Sequence, residues 1–230
     1  MSTTGKRART DEAKNQKRER ILQAASDLFD QNPDALPTSS EIAQHSGVAK
    51  GTVYLYFKSK EEIFLAMLKR HYQAWFNDIN EALQDDKPNI EQWINALCHY
   101  IEQQPQFFSL ASLSTSIIEK NVAAERLTEF RQALSEMLNQ CAKILATKIN
   151  QDNPVNCAQL LMRSYALLLG IWQISHPAEP KTQNFSLIQP DFKQESRQAL
   201  EQLWRGYIDD KSERSGSRFW GLSNIFAKTD

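Results

Sequence analysis

Lys50, Gly51, Thr52, Tyr54, Leu55 and Tyr56 fall in one short run, with Lys60 just beyond and Thr38, Ser39 and Ser40 a little before. A lysine ammonium and the hydroxyls of serine, threonine and tyrosine donate to phosphate oxygens. Lys50 can also donate to guanine, while Thr52 and Leu55 offer methyl groups that suit the methyl of thymine. Gly51 lets a second backbone come close. These are the side-chain types that read a nucleic-acid duplex, provided that one rigid element presents them together.

That element is written in residues 38–63, TSSEIAQHSGVAKGTVYLYFKSKEEI. Thr38 followed by Glu41 is a capping box: the hydroxyl takes the backbone N–H of the third helical residue, and the glutamate reaches back to the cap. Ile42 and Ala43 then face inward, and Gly47 stands where a sharp turn needs positive φ. Beyond it Val48 is buried, and a second helix is expected from about Ala49 to Phe57. Val53 and Phe57, four apart, would hold that helix to the core. Ser59 with Glu62 repeats the capping box and opens a third, longer helix. Helix, tight glycine turn, helix is the arrangement whose second helix lies in the DNA major groove.

Residues 47–64, GVAKGTVYLYFKSKEEIF, resemble the DNA-binding domain of the TetR-type (tetracycline repressor) family of bacterial transcriptional regulators. The resemblance reaches back to Arg20 and is close over about the first third of the chain; the remainder matches in architecture only. Ala49 departs from the pattern, because many relatives carry a serine there that caps the recognition helix. A missing cap costs about 1 kcal/mol. The resemblance implies an all-α fold, with a basic arm and three-helix helix-turn-helix domain at 1–60. A helical ligand-binding and dimerisation domain would follow at 61–210; the tail at 211–230 is read from its own apolar residues as a short helix docked onto the body or a partner subunit. The resemblance implies a ligand-responsive repressor that binds a palindromic operator as a homodimer in the cytoplasm. The alternative is an architectural or protein-interaction DNA-binding protein of the same family with no small-molecule ligand.

In the family pattern the residue matching Lys60 pairs with phosphate, and Tyr56, Thr52 and the Thr38–Ser39–Ser40 segment are similar candidates. Lys50, Gly51, Thr52, Tyr54 and Leu55 match the groove-facing positions. Tyr56 rather than Tyr54 is expected to turn its hydroxyl to phosphate, although either ring can simply pack. The segment around Lys6–Arg9 would follow the minor groove or neutralise phosphates. One such helix reads few base pairs, so a dimer on a palindrome is expected, paired through the last two long helices. Leu160, Leu161, Leu168, Ile171, Leu200 and Leu203 are the candidates for that surface, with Gly170 allowing close approach. The resemblance also implies a body pocket for a largely apolar small-molecule effector. Trp93, Phe107, Phe108, Met137, Met162, Tyr165 and Trp172 are its candidate lining, and His99, Tyr100 or Gln173 its polar contacts. Core packing is the plainer reading of each of these.

The elements that must carry all this are helical. Only 7 glycines and 8 prolines occur in 230 residues, and apolar residues recur at three and four rather than alternating. Ile21, Leu22, Ala25, Leu28 and Phe29 make one face of a first helix. Further helices are expected at about 60–84, 90–104, 107–119, 122–150, 154–176 and 191–208, about nine in all. Asp85–Pro88 and the Pro-rich stretch 177–190 break them. No separate linker is expected: the helix after Ser59 belongs to both domains. Ser212–Ser217 reads as flexible, yet the apolar Phe219, Trp220, Leu222, Ile225 and Phe226 follow.

The net charge is −1, so bulk basicity gives no hint of nucleic acid; its distribution does. Residues 1–20 carry seven basic and three acidic groups, and residues 1–72 twelve and nine, against fifteen and nineteen in the rest. A basic N-terminal third on an acidic body is what a phosphate-facing surface needs. The N-terminus lacks the apolar core of a secretory leader, and the most apolar stretch, Ala166–Trp172, falls short of the ~20 residues of a membrane span. Cys98, Cys141 and Cys157 are widely spaced, which suits a reducing compartment. His45, His71, His99 and His176 show no metal spacing, and no phosphate loop or acyl-transfer motif appears. Neither an enzyme nor a cofactor is expected.

Overall fold

The computed structural model describes residues 3–33, 35–84, 89–149, 153–176 and 190–215, with the backbone alone at 3–11 and 209–215. Among them every regular element is a helix: α1 (Thr3–Gln31), α2 (Ser39–Ser46), α3 (Lys50–Tyr56), α4 (Lys60–Ala82), α5 (Ile90–Gln103), α6 (Gln106–Ser112), α7 (Ala124–Lys148), α8 (Pro154–Ser175) and α9 (Phe192–Ser215). The all-α expectation holds, and so do most of the boundaries.

Three boundaries differ. α1 begins at Thr3, so the expected basic arm continues the first helix; its side chains before Glu12 lie outside the described ones. The helix expected at 107–119 stops at Ser112 and passes through a π-helical turn, Ser114–Ile118, and a 3₁₀ turn, Glu119–Asn121. Hydroxyls there compete with the helical ladder: Ser112 Oγ donates to Phe108 O at 2.8 Å and Ser114 Oγ to Glu119 Oε1 at 2.9 Å. The Leu113 carbonyl accepts from both Ile117 and Ile118. Lastly, α9 stays helical to Ser215, into the segment read as flexible. The apolar tail, the Asp85–Pro88 break and the 177–189 stretch lie outside the described residues.

The first three helices close on the start of α4. Ile21, Leu22, Ala25 and Phe29 of α1 meet Ile42 and Ala43 of α2, Val53 and Phe57 at α3, and Ile63 and Phe64 of α4, all buried. Each of the larger aliphatic or aromatic side chains contributes about 1.5–3 kcal/mol by leaving water. α4 then runs on into the body, packing on α5, α6 and α7, while α8 lies between α7 and α9 and α9 returns to α5. The buried residues of head and body form one continuous cluster, with α4 as its shared spine.

α8 corrects the dimer-surface expectation. Leu160, Leu161 and Leu168, with Leu200 of α9, are fully buried within this chain, and Ile171 nearly so. They lie in the stripe that α8 turns to α7 and α9. Its open face lies on the other side of the helix and carries Val155, Met162, Gly170 and Ile174. All three cysteines are buried, and burial pushes the thiols of Cys98 and Cys141 up to about 12.

Candidate nucleic-acid interface

The capping box at Thr38 forms as spelled. Glu41 N–H donates to Thr38 Oγ1 at 3.2 Å, and Thr38 N–H and Oγ1 donate to Glu41 Oε2 at 2.8 and 2.7 Å. These bonds from the Thr38 backbone, then from its hydroxyl, hold the Glu41 carboxyl below the ordinary range. They also occupy both donors of Thr38, so its part in any phosphate contact is to orient α2. Ser39 is buried and Ser40 exposed. The first-turn N–H groups of α2 project from this end, where the helix dipole favours an anion.

Gly47 adopts φ 67 and ψ 28, the left-handed turn that the sequence required. Its neighbour Val48 donates to Ala43 O at 3.1 Å, closing α2 and aiming α3. α3 starts at Lys50 with Ala49 as an N-cap that makes no side-chain bond, the consequence expected of the missing serine. Val53 and Phe57 are 1 % and 3 % exposed. The opposite face carries Lys50, Gly51, Tyr54 and Leu55, all exposed, with Leu55 at 78 % and Thr52 half-buried at the edge. A leucine so exposed gains nothing from the fold of this chain. Tyr56 is half-buried against the core, in contrast to Tyr54.

Lys60 is half-buried, and its Nζ donates to Leu36 O at 3.5 Å, bridging the first turn of α4 to the segment that enters α2. Ser59 caps α4, taking Glu62 N–H at 3.3 Å, but the glutamate reaches one residue further than the sequence suggested, to Lys58 N–H at 2.9 Å. Several supports were invisible to sequence reasoning. The Arg18 guanidinium lies 5.1 Å from the Phe57 ring centroid, Asp27 meets His45 at 3.4 Å, and Arg70 grips Glu19 at 2.6 Å. Ser59 Oγ also donates to Asn121 O at 3.3 Å, tying the entry of α4 to the body. The partners are far apart in the chain, and no local spacing signals such pairs.

In the body, the structure brings together only some of the candidate pocket residues. Phe107 and Phe108 are fully buried, and Phe108 meets Tyr165 and Trp172 edge-on at 5.9 and 6.1 Å. Tyr72 Oη donates to Tyr165 Oη at 2.5 Å, a polar pair inside an aromatic cluster. Trp93 lies elsewhere, stacked on Trp204 at 5.5 Å. Met137 is half-buried on α7, and Met162 is 47 % exposed on the outer face of α8, which removes it from any interior lining. Of the polar candidates, His99 is exposed and paired with Asp78 at 2.9 Å, and Gln173 is exposed. Tyr100 turns inward to His71 Nδ1 at 2.8 Å. Among the described residues, no group of carboxylates, histidines and cysteines is placed to hold a metal, and no helix is long and apolar enough to cross a membrane.

These features have close counterparts. Residues 21–67 match the model of bacterial regulatory proteins of the tetR family, and residues 69–211 match the tetracyclin repressor-like C-terminal domain. The HTH-type transcriptional activator FasR of Mycolicibacterium smegmatis is 30% identical over 115 residues, 49% of this chain and 52% of FasR; the match thus spans about half the length of that relative. The nucleoid occlusion factor SlmA of Vibrio vulnificus is 24% identical over 195 residues, 83% of this chain and 93% of SlmA. The crystal structure of the transcriptional regulator FadR from Bacillus subtilis, in complex with stearoyl-CoA, shares the fold. Its TM-score is 0.52 at 18% identity, covering 80% of this chain and 96% of FadR. With a helix-turn-helix head and a helical body that both match, the chain belongs to the TetR family of transcriptional regulators.

Proposed function

We propose that the protein is a ligand-responsive repressor that binds a palindromic operator as a homodimer in the cytoplasm. The observation that carries this reading is the face of α3: Lys50, Gly51, Tyr54 and Leu55 stand exposed on a helix pinned by Val53 and Phe57. Lys50, Gly51, Thr52, Tyr54 and Leu55 would read bases, while Ser40, Tyr56, Lys60 and the start of α2 meet phosphates. The head would comprise residues 1–60 and the body 61–210, joined through α4. Two copies would pair through α8 and α9, setting the recognition helices about one helical turn of DNA apart. The aromatic cluster around the Tyr72–Tyr165 pair is the seat assigned to a largely apolar effector, and the acyl chain of the stearoyl-CoA held by the FadR neighbour is of that character. Release follows if the effector binds the DNA-free arrangement better than the DNA-bound one.

A second reading has its own support. One relative that matches over most of its length, SlmA, is named for nucleoid occlusion rather than for regulation by a ligand. A DNA-binding architectural role without an effector would fit that likeness. Binding to the DNA upstream of the protein's own gene, beside a scrambled control at two salt concentrations, tests the main reading. Tight, sequence-dependent binding that weakens with salt supports an operator-specific regulator. Equal binding to both fragments favours the architectural role, and no binding to either at low salt overturns DNA recognition.

A further inference from the structure

Between the head and the body lies a cleft of about 230 Å³, closed by α1, the end of α3, α4 and the start of α7. Phe57, Leu65 and Phe130, all buried, form its apolar floor. Three cations line it, Arg18, Lys69 and Arg126, with two carboxylates, Glu62 and Glu129. Both carboxylates are engaged: Glu129 Oε2 accepts from Arg126 Nη1 at 2.8 Å, and Glu62 Oε2 accepts the Lys58 N–H at 2.9 Å. Lys69 makes no hydrogen bond or ion pair among the described residues. The carboxylate paired with Arg18, that of Glu19, stands 3.7 Å away and is gripped by Arg70 at 2.6 Å. Positive charge therefore exceeds negative over a greasy floor.

We propose that this cleft binds a small organic carboxylate with an apolar body, its charge set between Lys69, Arg18 and Arg126 and its body on Phe57, Leu65 and Phe130. Size limits the ligand. The volume equals that of about eight waters and falls below the ~300 Å³ at which drug-sized sites begin, which suits a molecule such as octanoate or benzoate. A bound anion would relieve an existing conflict, since burial and the nearby Arg70 hold the Arg18 guanidinium below its ordinary pKa. The occupant would touch Phe57, which ends the recognition helix, and Phe130 of the body at once, fixing head against body. This site adjoins the aromatic cluster proposed for an apolar effector, Phe130 meeting the Tyr72 ring at 6.1 Å, but has its own charged lining. Its test does not depend on the DNA reading.

The test is calorimetric titration and thermal unfolding of the full DNA-free chain with sodium octanoate and sodium benzoate. Octanol, benzyl alcohol and sodium chloride at matched ionic strength are the controls. Both carboxylates are expected to bind once per chain and raise Tm, with the alcohols at least about tenfold weaker. Lys69→Gln and Arg126→Gln should each weaken binding about fivefold, the scale of one part-exposed ion pair, and Lys69→Arg should restore it. Circular dichroism and unliganded Tm confirm that these surface variants are folded. Tyr165→Phe, in the aromatic cluster, should leave carboxylate binding unchanged. Alcohols binding as well as carboxylates, binding indifferent to Lys69→Gln and Arg126→Gln, or no binding at millimolar carboxylate would each overturn the proposal.

Discussion

Gly51 offers a sharp test at the residue scale. A Cβ built there meets nothing within 4 Å, so the fold itself makes no demand for glycine. Gly51→Ala should raise helix stability by up to about 1 kcal/mol, read as a higher Tm. Operator affinity should fall in the same variant if the α3 backbone closes on DNA at this point; unchanged affinity would remove Gly51 from the contact. Lys60 behaves differently, because its ammonium also reaches the Leu36 carbonyl. Lys60→Ala should weaken binding to every sequence and reduce the salt slope by about one. A steady slope would leave Lys60 with only its structural bond. The residue types of the reading face were legible because exposure of Lys50, Tyr54 and Leu55 follows from helical phase. That Thr38 has both donors taken by Glu41 was not, since a cap and a phosphate contact call for the same residue type.

At the scale of elements, starts and stops were written locally and could be read. Thr38 with Glu41, positive φ at Gly47 and the Ser59 cap all formed. What escaped was set by competition or by distant partners. The π turn after α6 arises because two N–H groups share the Leu113 carbonyl, and no spacing announces that. His71 is a similar case: on α4, it stacks on Phe107 at 5.5 Å and shares a hydrogen bond with Tyr100. Burial lowers its pKa to about 4, so the fold holds it neutral, whereas the unfolded chain takes a proton near 6.5. Its contribution is therefore fully present above pH 6.5 and is lost as pH falls from there towards about 4. His71→Phe removes the titration while keeping a flat ring. In denaturant unfolding from pH 7 to 4, the variant should lose less stability than the parent. Parallel losses in the two proteins would show that His71 takes up no extra proton on unfolding.

For the whole molecule, composition and periodicity announced a helical body, but the choice between core and interface turned on helical phase. Leu160, Leu161 and Leu168 satisfy a dimer surface and a core equally well on paper; packing against α7 and α9 assigns them to the core. Besides Tyr54 and Leu55 of α3, the large apolar residues left outside among the described ones are Ile117, Ile144 of α7, Val155, Met162 and Ile174 of α8 and Ile208 of α9. Scattered apolar side chains on a surface need no explanation. Val155, Met162 and Ile174 share one face of α8, however, with Gly170 on the same face, where its lack of a side chain lets another helix come close. The proposed dimer therefore makes a specific demand. Met162→Glu puts a charge at the middle of that face and disturbs no buried contact, so the monomer fold should keep its helix content and lose little Tm. Sedimentation should show the dimer replaced by monomer at micromolar concentration. Operator affinity should fall by about tenfold or more, because one recognition helix alone makes only half of the phosphate and base contacts. A variant that remains dimeric would move the interface off this face of α8. A variant that becomes monomeric yet keeps full affinity would break the link between palindrome and dimer.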